Sequence, residues 1–182
     1  MSSSETRKIK KIAIIGPEST GKSTLCQQLA EHYSTLFVPE FARDWLNKHG
    51  KHYQYADLLE IAKGQSALED EFMGRTKNNS LLFIDTEMYV MKVWCEFVFG
   101  KCHSFILNEI VNRSYDLYLL CDVDLPWVKD ELREYPDLQS RKKLFGIYKD
   151  ILVNQSTPWN IIRGNYKERL SLAIHSVDHL LS

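Results

Sequence analysis

The residues best suited to chemistry stand together at Gly16-Pro17-Glu18-Ser19-Thr20-Gly21-Lys22-Ser23, followed by Thr24. This run fits the pattern G-x-x-x-x-G-K-[ST], in which each fixed residue has a physical task. Gly16 and Gly21 let the backbone turn tightly around an anion and aim successive N–H groups at it. Lys22 can reach terminal phosphates, and a helix starting there adds partial positive charge at its N-terminus. The Ser23 hydroxyl suits a magnesium ion. Gly16 and Glu18 to Thr24 are therefore expected to cradle a nucleoside triphosphate. The loop alone does not choose among kinases, GTPases and motors.

Phosphoryl transfer also needs charge neutralisation and a group that orients the acceptor hydroxyl. In an open parallel sheet such groups stand at the carboxyl ends of strands. Glu40, Arg43 and Asp44 follow the apolar run Leu36-Phe37-Val38, and their three- and four-residue spacing puts them on one helical face. A carboxylate there can accept the hydroxyl proton while the arginine neighbours the phosphoryl. The plainer reading is a helix-start charge and a helical salt bridge. Asp85 is the only charge in Leu81–Asp85 and is a natural magnesium partner of Ser23. It could instead cap a helix beginning at Thr86. Either Glu40 or Asp85 could be the base.

The polar segment from Asp122 to Lys143 carries Trp127, Arg133 and Arg141 and has the profile of a mobile lid. Its arginines could close over a triphosphate, or form a solvated face. Trp127 could stack on a nucleobase or an aromatic substrate, or anchor the lid in the core. Gly164-Asn165-Tyr166 lies where a nucleotide base could rest, which makes Asn165 and Tyr166 candidate nucleotide contacts. His175 and His179 lack a third metal ligand, and the spacing of Cys95 and Cys102 suits structural cysteines better than zinc.

The elements that must position these groups follow from periodicity. Short apolar runs at 10–15, 36–38, 81–85, 115–121 and 158–163 predict five strands. Helical spacing predicts helices from Lys22 to Tyr33, 41–48, 56–77, 86–99, 105–113 and 165–181. Strands alternating with helices imply an α/β fold: a five-stranded parallel sheet covered on both faces, with a small charged lid near 122–143. Gly64, inside the third predicted helix, has no explanation in the pattern.

The 182 residues suit one domain over 10–182 after a disordered tail at 1–9. Lys and Arg total 23 against 24 Asp and Glu, which gives no electrostatic footprint for nucleic acid. No apolar run approaches the ~20 residues of a membrane span, and Met1–Lys8 has no signal core, so a cytoplasmic protein is expected. A guanine-reading Asn-Lys-x-Asp is missing, since Asn47-Lys48-His49-Gly50 ends in glycine and comes too early. The length leaves little room for the second domain of a mechanical ATPase. A small-molecule phosphotransferase remains.

Four motifs in order carry a more specific resemblance: Ile12 to Leu25, Glu40-Phe-Ala-Arg-Asp44, Phe83-Ile-Asp-Thr-Glu87 and Pro126-Trp-Val-Lys-Asp-Glu-Leu-Arg133. From about Lys10 to the C-terminus the chain resembles the kinase domain of NadR-type ribosylnicotinamide kinases, P-loop enzymes with an AAA-type ATPase-like core. The resemblance implies ATP and Mg²⁺ as cofactors and a nucleoside as substrate. The reaction implied is phosphorylation of the 5′-hydroxyl of nicotinamide riboside to the mononucleotide. It also implies that Trp127 lies near the nicotinamide or lid region and that Arg133 and Arg141 belong to the lid. About nine residues precede the first strand, so the adenylyltransferase and helix-turn-helix domains of that family are not expected. A nucleotide-binding regulatory module, or a kinase for another nucleoside, is the alternative.

Overall fold

The structure is a computed structural model and describes residues 9–76 and 81–182. Residues 1–8 of the tail expected at 1–9, and Lys77 at the end of the third predicted helix, lie outside the described residues. Five strands form one sheet: β1 (Lys10–Ile15), β2 (Phe37–Val38), β3 (Leu81–Asp85), β4 (Leu117–Cys121) and β5 (Trp159–Ile162). Their order is β2-β3-β1-β4-β5 and every pairing is parallel. The expected α/β architecture is therefore borne out.

Because a parallel sheet is buried on both faces, its strands read as unbroken apolar runs. Ile12 and Ile14 of β1 pack with Leu25, Leu29, Ala173 and Val177, from α1 (Lys22–His32) and α7 (Tyr166–Leu181). Ala13 and Ile15 point to the opposite face, toward Leu144, Tyr148 and Leu152 of α6 (Leu138–Val153). A third cluster joins α2 (Phe41–His49), α3 (Tyr55–Arg75), α4 (Met88–Phe99) and α5 (Ser104–Asn112) beside the sheet.

Sequence periodicity supplied six helices, and α6 is the addition. It starts inside the charged segment, so Arg141, Lys142 and Lys143 are helical and the irregular stretch ends near Asp137. Asp137 caps it by accepting from the Ser140 N–H at 2.7 Å. Its buried residues are Arg141, Leu144, Tyr148 and Leu152, a regular helical stripe whose first member is charged. Gly64 also acquires a reason. A Cβ there would stand 2.1 Å from Cε1 of Phe41, so the glycine lets the start of α2 lie directly on α3.

Parallel strands all end on the same side. The turn after β1, Glu40 after β2, Asp85 at the end of β3, Asp122 after β4 and Gly164 after β5 therefore meet at one edge.

Candidate active site

The phosphate loop joins β1 to α1 and is held from several directions. Gly16 has φ +139°, and a Cβ there would come within 2.7 Å of the Cys121 carbonyl oxygen of β4. Gly21 has φ +76° and forms the N-cap of α1. Ser19 adopts φ +57°, a left-handed conformation uncommon outside glycine. Lys22 Nζ donates to the Pro17 carbonyl at 2.9 Å, which folds the cation back over its own loop. Thr20 Oγ1 donates to the same carbonyl at 2.7 Å.

Arg169, a residue the sequence pattern did not single out, fixes this loop from behind. It is 2% exposed, and it donates to the carbonyls of Thr20 (2.8 Å), Gly164 (2.8 Å) and Asp122 (2.9 Å). It also pairs with the Asp124 carboxylate. One guanidinium thus ties the phosphate loop to the ends of β4 and β5. In the sequence it resembles any surface cation of the last helix, because its partners are backbone oxygens far along the chain.

Asp85 is 1% exposed at the end of β3, directly beside Ile14 of β1. Burial and the neighbouring Glu40 push its carboxyl above the ordinary range; Lys22, a hydrogen bond with Ser23, and Arg43 pull the other way. Asp85 Oδ1 is buried with no hydrogen-bond partner, as is Oγ1 of Thr86. Thr86 itself has φ +74°, a costly conformation for a β-branched residue.

Glu40 is the N-cap of α2 and makes no side-chain cap hydrogen bond, so its carboxylate is not spent on the helix. The backbone on either side of it is held by Gln65 of α3, a 1% exposed residue and a second omission of the sequence pattern. Gln65 accepts from the Phe41 N–H at 2.8 Å and donates to the Pro39 carbonyl at 3.3 Å. Arg43, one turn on, bonds Asp130 at 3.0 Å.

The segment between β4 and α6 lies across the loop. Glu18 accepts from the Glu134 N–H at 3.0 Å and from the Tyr135 N–H. Burial raises the Glu18 carboxyl, with those two N–H bonds and Lys22 opposing. Ser19 Oγ accepts from the Val128 N–H at 3.2 Å. Two side chains expected at the nucleotide therefore hold this segment. Arg133 donates to the Val128 carbonyl. Arg141 is 4% exposed, and its Nε and Nη1 have no hydrogen-bond partner.

The edge encloses a cleft of about 500 Å³. It is lined by the whole loop from Gly16 to Thr24, with Glu40, Arg43, Arg133 and Tyr166. Asp85, Asp44, Trp127, Arg141 and Asn165 are outside the lining. Asn165 caps α7, accepting from the N–H groups of Lys167 and Glu168. The lining also has an apolar and aromatic part, with Leu46, Val90, Trp94, Phe97, Tyr135 and Tyr148. The indole N–H of Trp94 donates to Tyr53 Oη at 2.8 Å, and Tyr53 donates to Glu134 at 2.9 Å. The cleft can therefore hold anions at the loop and a flat apolar group against these side chains. No helix among the described residues is long and apolar enough to cross a membrane.

Residues 11–169 match the family described as AAA domain. The trifunctional NAD biosynthesis/regulator protein NadR of Escherichia coli (strain K12) is 32% identical over 148 residues, 79% of this chain and 36% of that protein. The crystal structure of NadR protein in complex with NR aligns with a TM-score of 0.81 at 21% identity, covering 94% of this chain and 49% of that one. Thymidylate kinase from Ehrlichia chaffeensis aligns with a TM-score of 0.64 at 16% identity, covering 96% of this chain and 100% of the other. The chain thus spans about a third of its curated relative and about half of the solved NadR chain. The structural likenesses establish a shared P-loop fold.

Proposed function

The chain belongs to the AAA-domain family, and from that premise we propose that it transfers the terminal phosphoryl of ATP to a hydroxyl of a nucleoside. The observation that carries this reading is the convergence on Asp85. Lys22 and Ser23 at the start of α1, and Glu40 and Arg43 at the start of α2, two segments far apart in the chain, all act on one buried carboxylate. Such convergence at the carboxyl ends of a parallel sheet suits a reaction site better than a structural ion pair.

The donor set also fits Mg²⁺. A serine hydroxyl and a buried carboxylate with an unpartnered oxygen suit a small hard cation that takes its other ligands from phosphates and water. When bound, such an ion would neutralise negative charge on the phosphate chain. Ser23 and Asp85 would hold it. The loop N–H groups bind the phosphate chain, and Lys22 and Arg43 stabilise the transferring phosphoryl. Glu40 or Asp85 accepts the proton of the attacking hydroxyl.

The finer reading is phosphorylation of the 5′-hydroxyl of nicotinamide riboside. It is supported by the order of the four motifs, by the likeness to a NadR protein in complex with NR, and by the aromatic side chains in the cleft lining. Measuring ADP release with Mg²⁺, ATP and a panel of ribosides and deoxyribosides tests both levels. Nicotinamide riboside should stimulate turnover most. Stimulation by a different nucleoside replaces the finer reading, and no stimulation above the ATP-only background removes the kinase reading.

A further inference from the structure

The sequence left Trp127 as either a base-stacking residue or a lid anchor, and its surroundings indicate a third role. Its neighbours Pro126 and Val128 line the cleft while Trp127 does not. Trp127 thus lies outside the cleft lining, and two cations sit against its ring. The Arg141 guanidinium carbon is 5.4 Å from the ring centroid and that of Arg133 is 5.8 Å. Both are within the range of cation–π attraction. Arg133 reaches the cleft; Arg141 is 4% exposed, with two donor atoms lacking partners. Asp137 is the acidic group whose field includes Arg141, while Arg133 contributes to the field at Asp130.

A buried guanidinium without a paired anion is costly. Two guanidiniums sharing one ring also repel each other. The electron-rich ring offsets part of that cost. A polyanion arriving over the phosphate loop offsets the remainder, since Val128, beside the ring, is bonded to Ser19 of that loop.

Resting on the kinase reading for its ligand, we infer that Trp127 is a positioning residue that holds Arg133 and Arg141 as a paired positive charge for a polyphosphate chain. It works through the π-face of the ring and touches neither base nor acceptor. The two arginines are then coupled through Trp127, so that the chain has a ready cationic partner before the metal–nucleotide arrives.

The test compares Trp127→Leu, which keeps apolar volume, with Trp127→Phe, which keeps a π-face. Affinity is read by calorimetry with MgATP and with inorganic tripolyphosphate, neither of which needs an acceptor, so a failed kinase reading does not blur the result. Trp127→Leu should weaken both ligands about tenfold, and Trp127→Phe should stay within about threefold of wild type. In an Arg133→Gln/Arg141→Gln background the leucine substitution should cost little more. Should Trp127→Leu not fold, Trp127→Met makes the same comparison. Equal losses in the leucine and phenylalanine variants, no loss in either, or an undiminished loss in the arginine-free background would overturn the role.

Discussion

The two ends of the sheet treat charge in opposite ways. At the amino end, Glu69 of α3 is 1% exposed and fully engaged. It bonds Lys11 at 2.8 Å, lies 3.4 Å from Arg113, and accepts from the Tyr115 hydroxyl at 2.8 Å. Arg113 is satisfied in turn by Glu109 and Asp70. At the carboxyl end, Asp85, Thr86 and, in the first turn of α6, Arg141 keep buried polar atoms without partners. Among the described residues, these are the side chains so left. Proteins rarely tolerate such atoms, because each carries the full cost of desolvation. Both ends bury carboxylates, so burial alone does not mark a reactive site. The distinguishing feature is whether the chain itself completes the hydrogen bonding.

The contrast breaks most sharply if the ends are disabled separately. Lys22→Ala should lower nucleoside-dependent turnover by about a thousandfold in a steady-state assay while moving Tm by only a few degrees. Arg113→Met should do the reverse. Removing one partner of a largely buried ion cluster costs about 3–5 kcal/mol, visible as a Tm lower by about 10 °C. Its kcat at 20 °C should remain within about twofold of wild type. Activity loss in Arg113→Met without destabilisation would erase the distinction between the ends.

Glu87 sharpens the boundary. It is two residues from Asp85, yet its charged neighbours are Glu69 and Lys11 of the opposite end. Burial pushes its carboxyl up to about 8. A folded-state value above the ordinary one means that this group favours the fold at low pH and loses that contribution as pH rises toward 8. Glu87→Gln, which cannot ionise, should therefore match wild type near pH 4 and gain on it steadily up to about pH 8. The gain is about 1.4 kcal/mol per unit of pKa difference, read as Tm against pH. A constant offset across that range would remove Glu87 as its source. The smallest effect is Gly64→Ala. The new methyl would press on Phe41 beside Glu40 and cost about 1–3 kcal/mol. Circular dichroism melts would register it, and an unchanged Tm would mean that α2 does not rest on α3 as described.

Much of the carboxyl end was legible in the sequence because its signals are local. Five apolar runs gave the strands, and the loop from Gly16 to Ser23 sat where a strand met a helix. Glu40 and Asp85 stood out as charges where strands ended. What escaped depended on distant partners. Arg169 and Gln65 act on backbone carbonyls and N–H groups of other segments, so their types and spacing carry no mark of the role. Gly64 is explained only by a ring from another helix. The start of α6 was hidden because its first buried residue, Arg141, reads as solvated charge. Glu18 and Ser19 occupy loop positions expected to face phosphate, and their grip on residues 128–135 follows from tertiary placement.

The central claim is that the incomplete end of the sheet performs the chemistry. Its most direct test is single-turnover phosphoryl transfer from MgATP to the preferred riboside by Glu40→Gln and Asp85→Asn, each checked for an unchanged fold. The variant lacking the base should be slower than wild type by at least ~100-fold, and the loss of Asp85 should also weaken the dependence on Mg²⁺. Near-wild-type rates in both variants would contradict the account.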